Sequence, residues 1–285
     1  MNDVLIATAT QLPRADEDEA PLIAALAAAG VRAQARAWDD PAVDWAGARA
    51  CLIRSTWNYV RHYAAFLDWA ARCAVATALW NPLPVVRWNS HKRYLIELAQ
   101  AGLPVVPTRL AARGVAADLA VLADGWAEPE IVIKPAVSAG SFRTVRVARD
   151  DLARGQAHLD AVLADHDALV QPFQRSVADY GERALVWIDG ALTHAVRKSP
   201  RFAGDPQRVS DAVDIAPDEA RVAREILSSI ETRLPPLMYA RVDLARDQDG
   251  HPCLMELELI EPSLFLIRSP AAMARLVAAV QARLG

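Results

Sequence analysis

The first ninety residues alternate between short apolar runs and longer segments whose apolar positions recur at helical spacing. The apolar runs predict strands at 4–8, 31–38 and 50–54, and the helical spacing predicts helices at 19–29 and 59–75. Gly30 follows the first helix, where glycine readily takes the left-handed backbone that ends many helices. Because strands and helices alternate, the pattern predicts an α/β fold that begins with a small, open, parallel sheet.

The segment 80–84, Trp-Asn-Pro-Leu-Pro, interrupts this alternation. Its two prolines disfavour both a helix interior and a central strand. We therefore expect a linker here and a domain boundary near residue 88.

Beyond the linker, the spacing of apolar residues predicts a larger mixed region. Helices are predicted at 91–101, 150–164, 217–233 and 270–284, and strands at 105–110, 130–135, 142–147, 168–173, 183–188, 192–197, 239–246 and 252–259. Asp189-Gly190 and Asp249-Gly250 are strong two-residue turn signals, so the last four strands are expected to form two hairpins.

Composition narrows the classes of protein and partner. The chain has 285 residues, 53% hydrophobic and 23% charged, which predicts a folded protein of two or three subdomains around a cleft. The formal net charge is −4 and no run of like charges would follow a phosphate backbone, so nucleic acid is a poor candidate partner. The start of the chain has no basic leader and no segment reaches about 18 uninterrupted apolar residues, so we expect a cytoplasmic protein without a membrane span. Cys51, Cys73 and Cys253 lack metal-site spacing and are predicted to be buried thiols.

Three acids in the last predicted hairpin carry the strongest chemical signal. Asp243 lies on one strand, and Glu256 and Glu258 lie two apart on the facing strand, so their side chains are expected on one face of the sheet. Three converging carboxylates repel one another unless cations bind, and hard oxygen ligands suit magnesium. The alternative is a solvated acidic face, but the flanking residues are almost all apolar, which favours a metal site. Arg241 points to the same face and would either neutralise these acids or stabilise an oxyanion.

A second set of residues suits a nucleotide. Lys134 ends a buried apolar strand, and a small-residue turn follows it with Ser138, Gly140 and Ser141, whose backbone N–H groups could meet phosphate oxygens. That turn alone would equally suit an ordinary hairpin connection. Lys92 opens the next helix after the linker and, by itself, is a surface lysine.

Further candidates come from strand ends and from one long loop. Gln171 and Phe173 border a hinge after a strand, and Glu182 begins the next strand; these suit an adenine and a ribose, although many connections look alike. A basic cluster of His194, Arg197 and Lys198 ends the following strand and suits a phosphate or a substrate carboxylate, whereas a lone histidine is more often structural. The polar stretch 198–214 is predicted to be a mobile loop that closes over the site.

The order of these residues resembles the ATP-grasp ligases, such as D-alanine:D-alanine ligase and bacterial glutathione synthetase. The resemblance covers roughly residues 88–285 and rests on the run from Arg241 to Gly250 and on Glu256-Leu-Glu with Pro262-Ser263 after it. It implies an ATP-grasp fold with an N-terminal open parallel α/β domain. The implied division is an N-terminal substrate domain at 1–88, a small ATP-grasp subdomain at 89–167 and a large one with the metal site at 168–285.

The resemblance also implies a role for each candidate residue. Lys92 and Lys134 would contact the phosphates of ATP, Gln171 and Phe173 the adenine, Glu182 the ribose, and Asp243, Glu256 and Glu258 two magnesium ions, while Arg241 would stabilise the reacting carbonyl. Two departures stand out. Ser138 and Ser141 replace a loop that is richer in glycine among relatives, and Glu258 stands where asparagine is commoner.

Within the superfamily, three stretches are most similar to a small group that includes the D-cycloserine-forming ligase. They are Arg54-Ser-Thr-Trp-Asn-Tyr59, His194-Ala-Val-Arg-Lys198 and the segment from Glu256 to Leu264. Arg54, Ser55 and Tyr59 follow a strand of the N-terminal domain and are candidate substrate contacts.

The implied function is an ATP-dependent carboxylate–amine ligase that acts through an acyl phosphate on an amino-acid-like substrate. A ring closure such as D-cycloserine formation from O-ureido-D-serine is one form of this reaction. ATP and Mg²⁺ are the expected cofactors, and a small-molecule carboxylate and amine are the expected partners; a homodimer would be unsurprising. The alternatives are an ATP-binding module that makes no bond and a small-molecule kinase.

Overall fold

The computed structural model of the protein describes residues 2–199 and 208–285. Its N-terminal sheet contains four parallel strands in the order β2-β1-β3-β4. The strands are β1 (Asn2–Thr8), β2 (Ala33–Ala37), β3 (Ala48–Ile53) and β4 (Ala78–Trp80), and the helices between them are α1 (Glu19–Ala28) and α2 (Tyr63–Ala76). The predicted open parallel α/β arrangement is therefore confirmed.

The segment around residue 80 differs from the predicted linker. Residues Ala78–Trp80 form the edge strand β4, and a helix α3 (Leu83–Asn89) begins directly after Pro82. Pro84 lies in the first turn of this helix, where a missing backbone N–H costs no helical hydrogen bond. A second short helix, α4 (Tyr94–Gln100), follows. The prolines therefore begin a helix here and do not mark an irregular linker.

The second sheet is antiparallel and has the order β5-β8-β6-β7. Its strands are β5 (Arg109–Ala111), β6 (Glu130–Pro135), β7 (Val145–Ala148) and β8 (Ala168–Pro172), and it packs against α5 (Leu119–Ala123) and α6 (Leu152–Leu163). Strand β8 pairs with β6, so Ala168–Pro172 and Glu130–Pro135 belong to the same sheet. Strand β7 begins later than predicted because Ser141 and Arg143, with φ of 63° and 50°, form a turn.

The third sheet is also antiparallel, in the order β10-β9-β11-β12. Its elements are α7 (Ser176–Asp179), β9 (Glu182–Ile188), β10 (Ala191–Lys198), α8 (Pro217–Glu231), β11 (Tyr239–Arg246), β12 (Pro252–Glu258) and α9 (Pro270–Leu284). Both predicted hairpins are present. Helix α8 packs on one face of this sheet, and helix α9 with the N-terminal sheet covers part of the other.

The structure describes only part of the predicted loop 198–214. Residues 200–207 lie outside the described residues. On either side of them, Lys198 bridges to Val209 and Ala195 bridges to Val213, so the later part of the stretch runs beside β10. Separately, no helix within the described ranges is long and apolar enough to cross a membrane.

Strand β12 lies at the edge of the third sheet, and neighbouring segments satisfy its outer backbone groups. Leu254 exchanges hydrogen bonds with the 104–106 segment: its N–H donates to the Pro104 carbonyl at 2.8 Å, and its carbonyl accepts from the Val106 N–H at 2.9 Å. Farther along, the Tyr94 hydroxyl accepts from the Leu257 N–H at 3.0 Å. The side chain of Asn89 spans the Leu257 carbonyl and the Leu259 N–H, both at 2.8 Å.

Asn81 joins the N-terminal sheet to the same hairpin. Its side-chain N–H₂ donates to the carbonyls of Tyr239 and Leu259, both at 2.8 Å, and its side-chain oxygen accepts from the Met238 N–H at 2.6 Å. The hydroxyl of Tyr239 reaches back to the Ile53 carbonyl at the end of β3, at 2.6 Å. These fully buried contacts set the position of β11 relative to β3.

We expect Asn81→Ala to lower the free energy of unfolding by about 3 kcal/mol, because it leaves buried backbone groups of β11 and its neighbours without partners. Asn2→Ala is the matched control, since Asn2 makes one partly buried bond to Gln34 and its loss should cost about 1 kcal/mol or less. Urea unfolding followed by circular dichroism measures both. Equal midpoints for the two variants would contradict this role of Asn81.

Candidate active site

The hairpin of β11 and β12 holds the three predicted acids together. In its register Arg241 faces Glu258 and Asp243 faces Glu256. One carboxylate oxygen from each of Asp243, Glu256 and Glu258 lies within 4.8 Å of the other two. Asp243 is fully buried, whereas the side chains of both glutamates are 26% exposed. The expected convergence is present, and one side of the cluster faces solvent.

Asp243 is held by two buried cations. The Arg241 guanidinium donates to both of its oxygens, each at 2.8 Å, and also contacts Glu258. Lys198 donates to Asp243 at 2.7 Å and pairs with Glu182. Burial alone would raise the pKa of Asp243, but Arg241 and Lys198 outweigh it and hold that pKa well below its usual range. Asp243 is therefore a carboxylate at neutral pH.

Two lysines flank the other end of the cluster. Lys92 Nζ lies 2.9 Å from Glu256 and also donates to the Ser138 carbonyl. Its backbone N–H is anchored on the Ala136 carbonyl at 2.8 Å, just after β6. Burial lowers the pKa of Lys134, and the nearby charge of Lys92 adds to this, although Glu256 opposes it. Two lysines on different elements therefore converge on one glutamate.

Two glutamates in the site hold their protons more tightly than usual. Burial raises the pKa of Glu258 to about 7, against the charge of Arg241, with Glu256 and Asp243 adding to the rise. Burial and the charge of Glu258 raise the pKa of Glu261 to about 8. Glu261 was not singled out from the sequence, although an acid directly after the apolar pair Leu259-Ile260 was a signal. Its carbonyl accepts from the Trp57 indole at 3.0 Å.

The predicted nucleotide residues line the sheet of β5–β8 and the start of β9. The Gln171 side chain donates to Thr108 at 2.8 Å, and the Phe173 ring stacks with Arg146 at 4.5 Å. Glu182 pairs with Lys198, and burial raises its pKa against that charge. The turn after β6 takes positive φ at Gly140 and Ser141, 60° and 63°.

The basic cluster at the end of β10 divides between the two faces of the sheet. His194 and Lys198 lie on the face that carries Asp243, and both are buried. Arg197 points the other way, is exposed and donates to the Asp179 carbonyl at 2.5 Å. The structure therefore does not bring Arg197 to the site, because alternate residues of a strand face opposite sides.

The three predicted substrate contacts are all buried but differ in their bonds. The Ser55 hydroxyl already donates to Thr8 at 2.9 Å. The Tyr59 ring packs against Phe66 at 4.7 Å, and burial, together with the charges of Glu261 and its neighbours, raises the pKa of its hydroxyl. Arg54 is 1% exposed, and its closest charge is Asp18 at 3.8 Å.

Comparison with known proteins gives a family for this arrangement. Residues 4–81 match the family of the D-cycloserine synthetase DcsG N-terminal domain. Over 293 aligned positions the chain is 35% identical to the cycloserine biosynthesis protein DcsG of Streptomyces lavendulae, covering 98% of each protein. This chain belongs to the DcsG family of ATP-grasp ligases. The reaction class of the family is ATP-dependent ligation.

Solved structures agree with this assignment. The crystal structure of D-cycloserine synthetase DcsG superposes with a TM-score of 0.90 at 33% identity over 99% of both chains. The D-alanine–D-alanine ligase of Bacillus anthracis complexed with ATP reaches a TM-score of 0.68 at 13% identity, over 100% of this chain and 97% of that one. At that identity the second likeness shows the fold alone, which is the ATP-grasp fold expected from the sequence.

We expect Asp243→Asn to lower the free energy of unfolding by about 3 kcal/mol, because the change leaves Arg241 and Lys198 buried with too little negative charge. Asp211→Asn removes an equally charged group whose side chain is 92% exposed beside Arg268, so it should cost about 1 kcal/mol or less. Urea titration of both variants without nucleotide measures the difference. A loss no larger for Asp243 than for Asp211 would argue against a structural role for this ion pair.

Proposed function

We propose that this protein joins a carboxylate to a nitrogen atom through an acyl phosphate, on an amino-acid-like substrate. The observation that carries the proposal is the cluster in which Lys92, Lys134, Lys198 and Arg241 surround Asp243, Glu256, Glu258 and Glu182. Such a set can bind phosphates with its cations and metal ions with its acids. Likeness to D-cycloserine synthetase DcsG supports ring closure within O-ureido-D-serine as the specific reaction.

The acids suit magnesium by their chemistry. Asp243, Glu256 and Glu258 offer only oxygen ligands, and their oxygens are close enough to share ions. Magnesium, when bound, would neutralise negative charge on the phosphates of ATP. Each acid here already has a cation as a neighbour. Lys92 would therefore be able to turn from Glu256 to a phosphate oxygen when the acids take up metal, while Arg241 and Lys198 keep the buried charge of Asp243 compensated.

The nucleotide would lie between the second and third sheets. Lys92 and Lys134 would hold phosphate oxygens, with backbone groups of the turn at Ser138, Gly140 and Ser141 beside them. Gln171 and Phe173 would border the adenine, and Glu182 would accept from the ribose. Position and charge neutralisation supply most of the rate in phosphoryl transfer, so no protein nucleophile is required.

Arg241 would act on the substrate. The substrate carboxylate attacks the γ-phosphorus and ADP leaves; the nitrogen then attacks the acyl carbon and phosphate leaves. Arg241 stabilises the negative oxygen that forms in the second step, and its bonds to Asp243 hold its guanidinium in place. Lys198 assists beside it. Arg54, Ser55 and Tyr59 would border the substrate on the side of the N-terminal sheet, and we assign the reaction to the cytoplasm.

Hydroxylamine tests for the acyl phosphate. With ATP, Mg²⁺ and O-ureido-D-serine, the protein should form a hydroxamate and release ADP, because hydroxylamine competes with the attacking nitrogen for the activated carboxylate. A colorimetric hydroxamate assay and mass spectrometry detect the products. ADP without hydroxamate, amide or ring product would rule out the ligase, and a stable phosphorylated product would identify a kinase instead. ATP binding without any ADP would favour a binding module.

Glu256→Gln should reduce turnover by about 100-fold or more, since even residues that only support metal ligands are worth roughly 10- to 100-fold. Asp249→Asn is the control within the same hairpin, because Asp249 lies in its exposed turn and should leave the rate unchanged. ADP release in a coupled assay reports the rate, and circular dichroism reports folding. Retained activity in a folded Glu256→Gln protein would refute the metal assignment.

A further inference from the structure

Arg54 is an unusual buried cation. It follows directly after β3, and its side chain is almost completely removed from solvent. Within the described residues, none of its three guanidinium nitrogens has a hydrogen-bond partner. Its closest charged atom, Asp18 Oδ2, is 3.8 Å away, beyond hydrogen-bond distance. The Tyr239 ring lies 5.7 Å from the guanidinium carbon.

A guanidinium in this state calls for a ligand. It presents five N–H donors, and leaving such donors buried without acceptors costs far more than leaving them in water. Protein side chains that remain buried and unpaired are rare, and a catalytic or binding role is one of the few explanations for them. Arg241, by contrast, uses its nitrogens on Asp243, Glu258 and the Ser263 carbonyl. The guanidinium of Arg241 is therefore engaged within the protein, whereas that of Arg54 has its donors available for a ligand.

Among the described residues, Thr56 and His194 carry two further buried polar atoms without a partner. The Thr56 hydroxyl and the His194 Nε2 are buried and, within the described part of the chain, have no hydrogen-bond partner. The Thr193 hydroxyl donates to the Val186 carbonyl at 3.1 Å and accepts from His194 Nδ1 at 3.0 Å, so Nε2 of the neutral ring is an acceptor. Burial lowers the pKa of His194, while the charge of Asp18 and the backbone groups of Phe265 and Leu264 oppose this, so His194 lies near the same aspartate as Arg54. Arg54 and His194 thus both lie near Asp18, and Thr56 follows Arg54 by two residues.

This place is adjacent to the reacting centre. Tyr239, which Arg54 contacts, precedes Arg241 by two residues on the same face of β11. Two residues of a strand span about 7 Å. A small molecule whose carboxylate lies at Arg241 would therefore reach Arg54 with its other end.

Resting on the proposed function, we infer that Arg54, with Thr56, binds the carbonyl oxygen of a ureido or amide group at the side-chain end of the substrate. The charge of Asp18 determines which kind of ligand oxygen, carbonyl or carboxylate, Arg54 binds better. Because its charge already offsets that of Arg54, a neutral carbonyl suits the site better than a second carboxylate. A ureido group also carries N–H donors, for which Asp18 supplies carboxylate oxygens. Arg54 thus matches the carbonyl oxygen of a ureido group, and Asp18 matches its N–H groups.

Binding calorimetry tests this specificity without requiring turnover. O-ureido-D-serine, O-methyl-D-serine and D-glutamate are titrated into the protein with Mg²⁺ and a non-hydrolysable ATP analogue. The methyl ether lacks the carbonyl, and glutamate replaces it with a carboxylate. Wild-type protein should bind the ureido compound at least about 10-fold more tightly than either, as expected for a hydrogen bond to a charged donor.

Two substitutions assign that preference to residues. Arg54→Lys keeps the charge but loses the planar donor pair. It should weaken the binding of O-ureido-D-serine by about 10-fold or more and change the affinity for O-methyl-D-serine by no more than about threefold. Thr56→Val should weaken the binding of the ureido compound by about fivefold. This second variant still tests the inference if Arg54→Lys does not fold. Thr77→Val is the control, since its hydroxyl already donates to the Ala48 carbonyl at 2.8 Å, away from the cleft.

The outcomes separate this inference from the proposed function. Equal weakening of the ureido and methyl compounds would show that Arg54 is only structural. Tighter binding of D-glutamate would show a carboxylate site, and no binding of the ureido compound to wild type would also refute the inference. Each of these results is compatible with hydroxamate formation from another amino acid, which the hydroxylamine assay reports when that amino acid replaces O-ureido-D-serine.

Discussion

The bidentate ion pair between Arg241 and Asp243 is the interaction on which the site depends. Both residues lie on β11, two apart, and Asp243 is fully buried. A buried carboxylate is stable only with close compensation, so Arg241 and Lys198 must stay in place, and with them the neighbouring strands β9 and β10. The pair also brings Glu258 and Glu182 within reach of cations. The charge of Asp243 thus determines the positions of four other charged side chains: Arg241, Lys198, Glu258 and Glu182.

The packing of the N-terminal sheet serves the same hairpin. Asn81 and Asn89 occupy the backbone groups at the ends of β11 and β12, and Tyr239 reaches across to β3. These polar contacts are directional, whereas apolar packing alone would permit small sliding movements. Because Arg54 directly follows β3, the contact of Tyr239 with the Ile53 carbonyl also sets the distance between the two arginines. The two halves of the cleft are therefore held in one geometry.

Much of this site was predictable because its signals are local. The turn signal at Asp249-Gly250 makes the two strands neighbours, so the convergence of Asp243 with Glu256 and Glu258 was predictable, whereas a register shift between Asp243 and Leu244 sets the actual pairing. Strand alternation would also have separated Arg197 from Lys198. Other features depend on tertiary contacts that spacing does not encode. Helix α3 after Pro82, the buried Glu261 and the approach of Asp18 to Arg54 each require segments that are distant in sequence to meet.

The closed edge of β12 has a consequence beyond the chemistry. An open sheet edge can pair with a strand of another molecule and begin aggregation. Here Leu254 is already paired with the 104–106 segment, and Tyr94 and Asn89 occupy the groups farther along. The strand that carries Glu256 and Glu258 is therefore protected from recruitment by a neighbouring chain, and an acidic strand can lie at a sheet boundary without becoming a point of self-association.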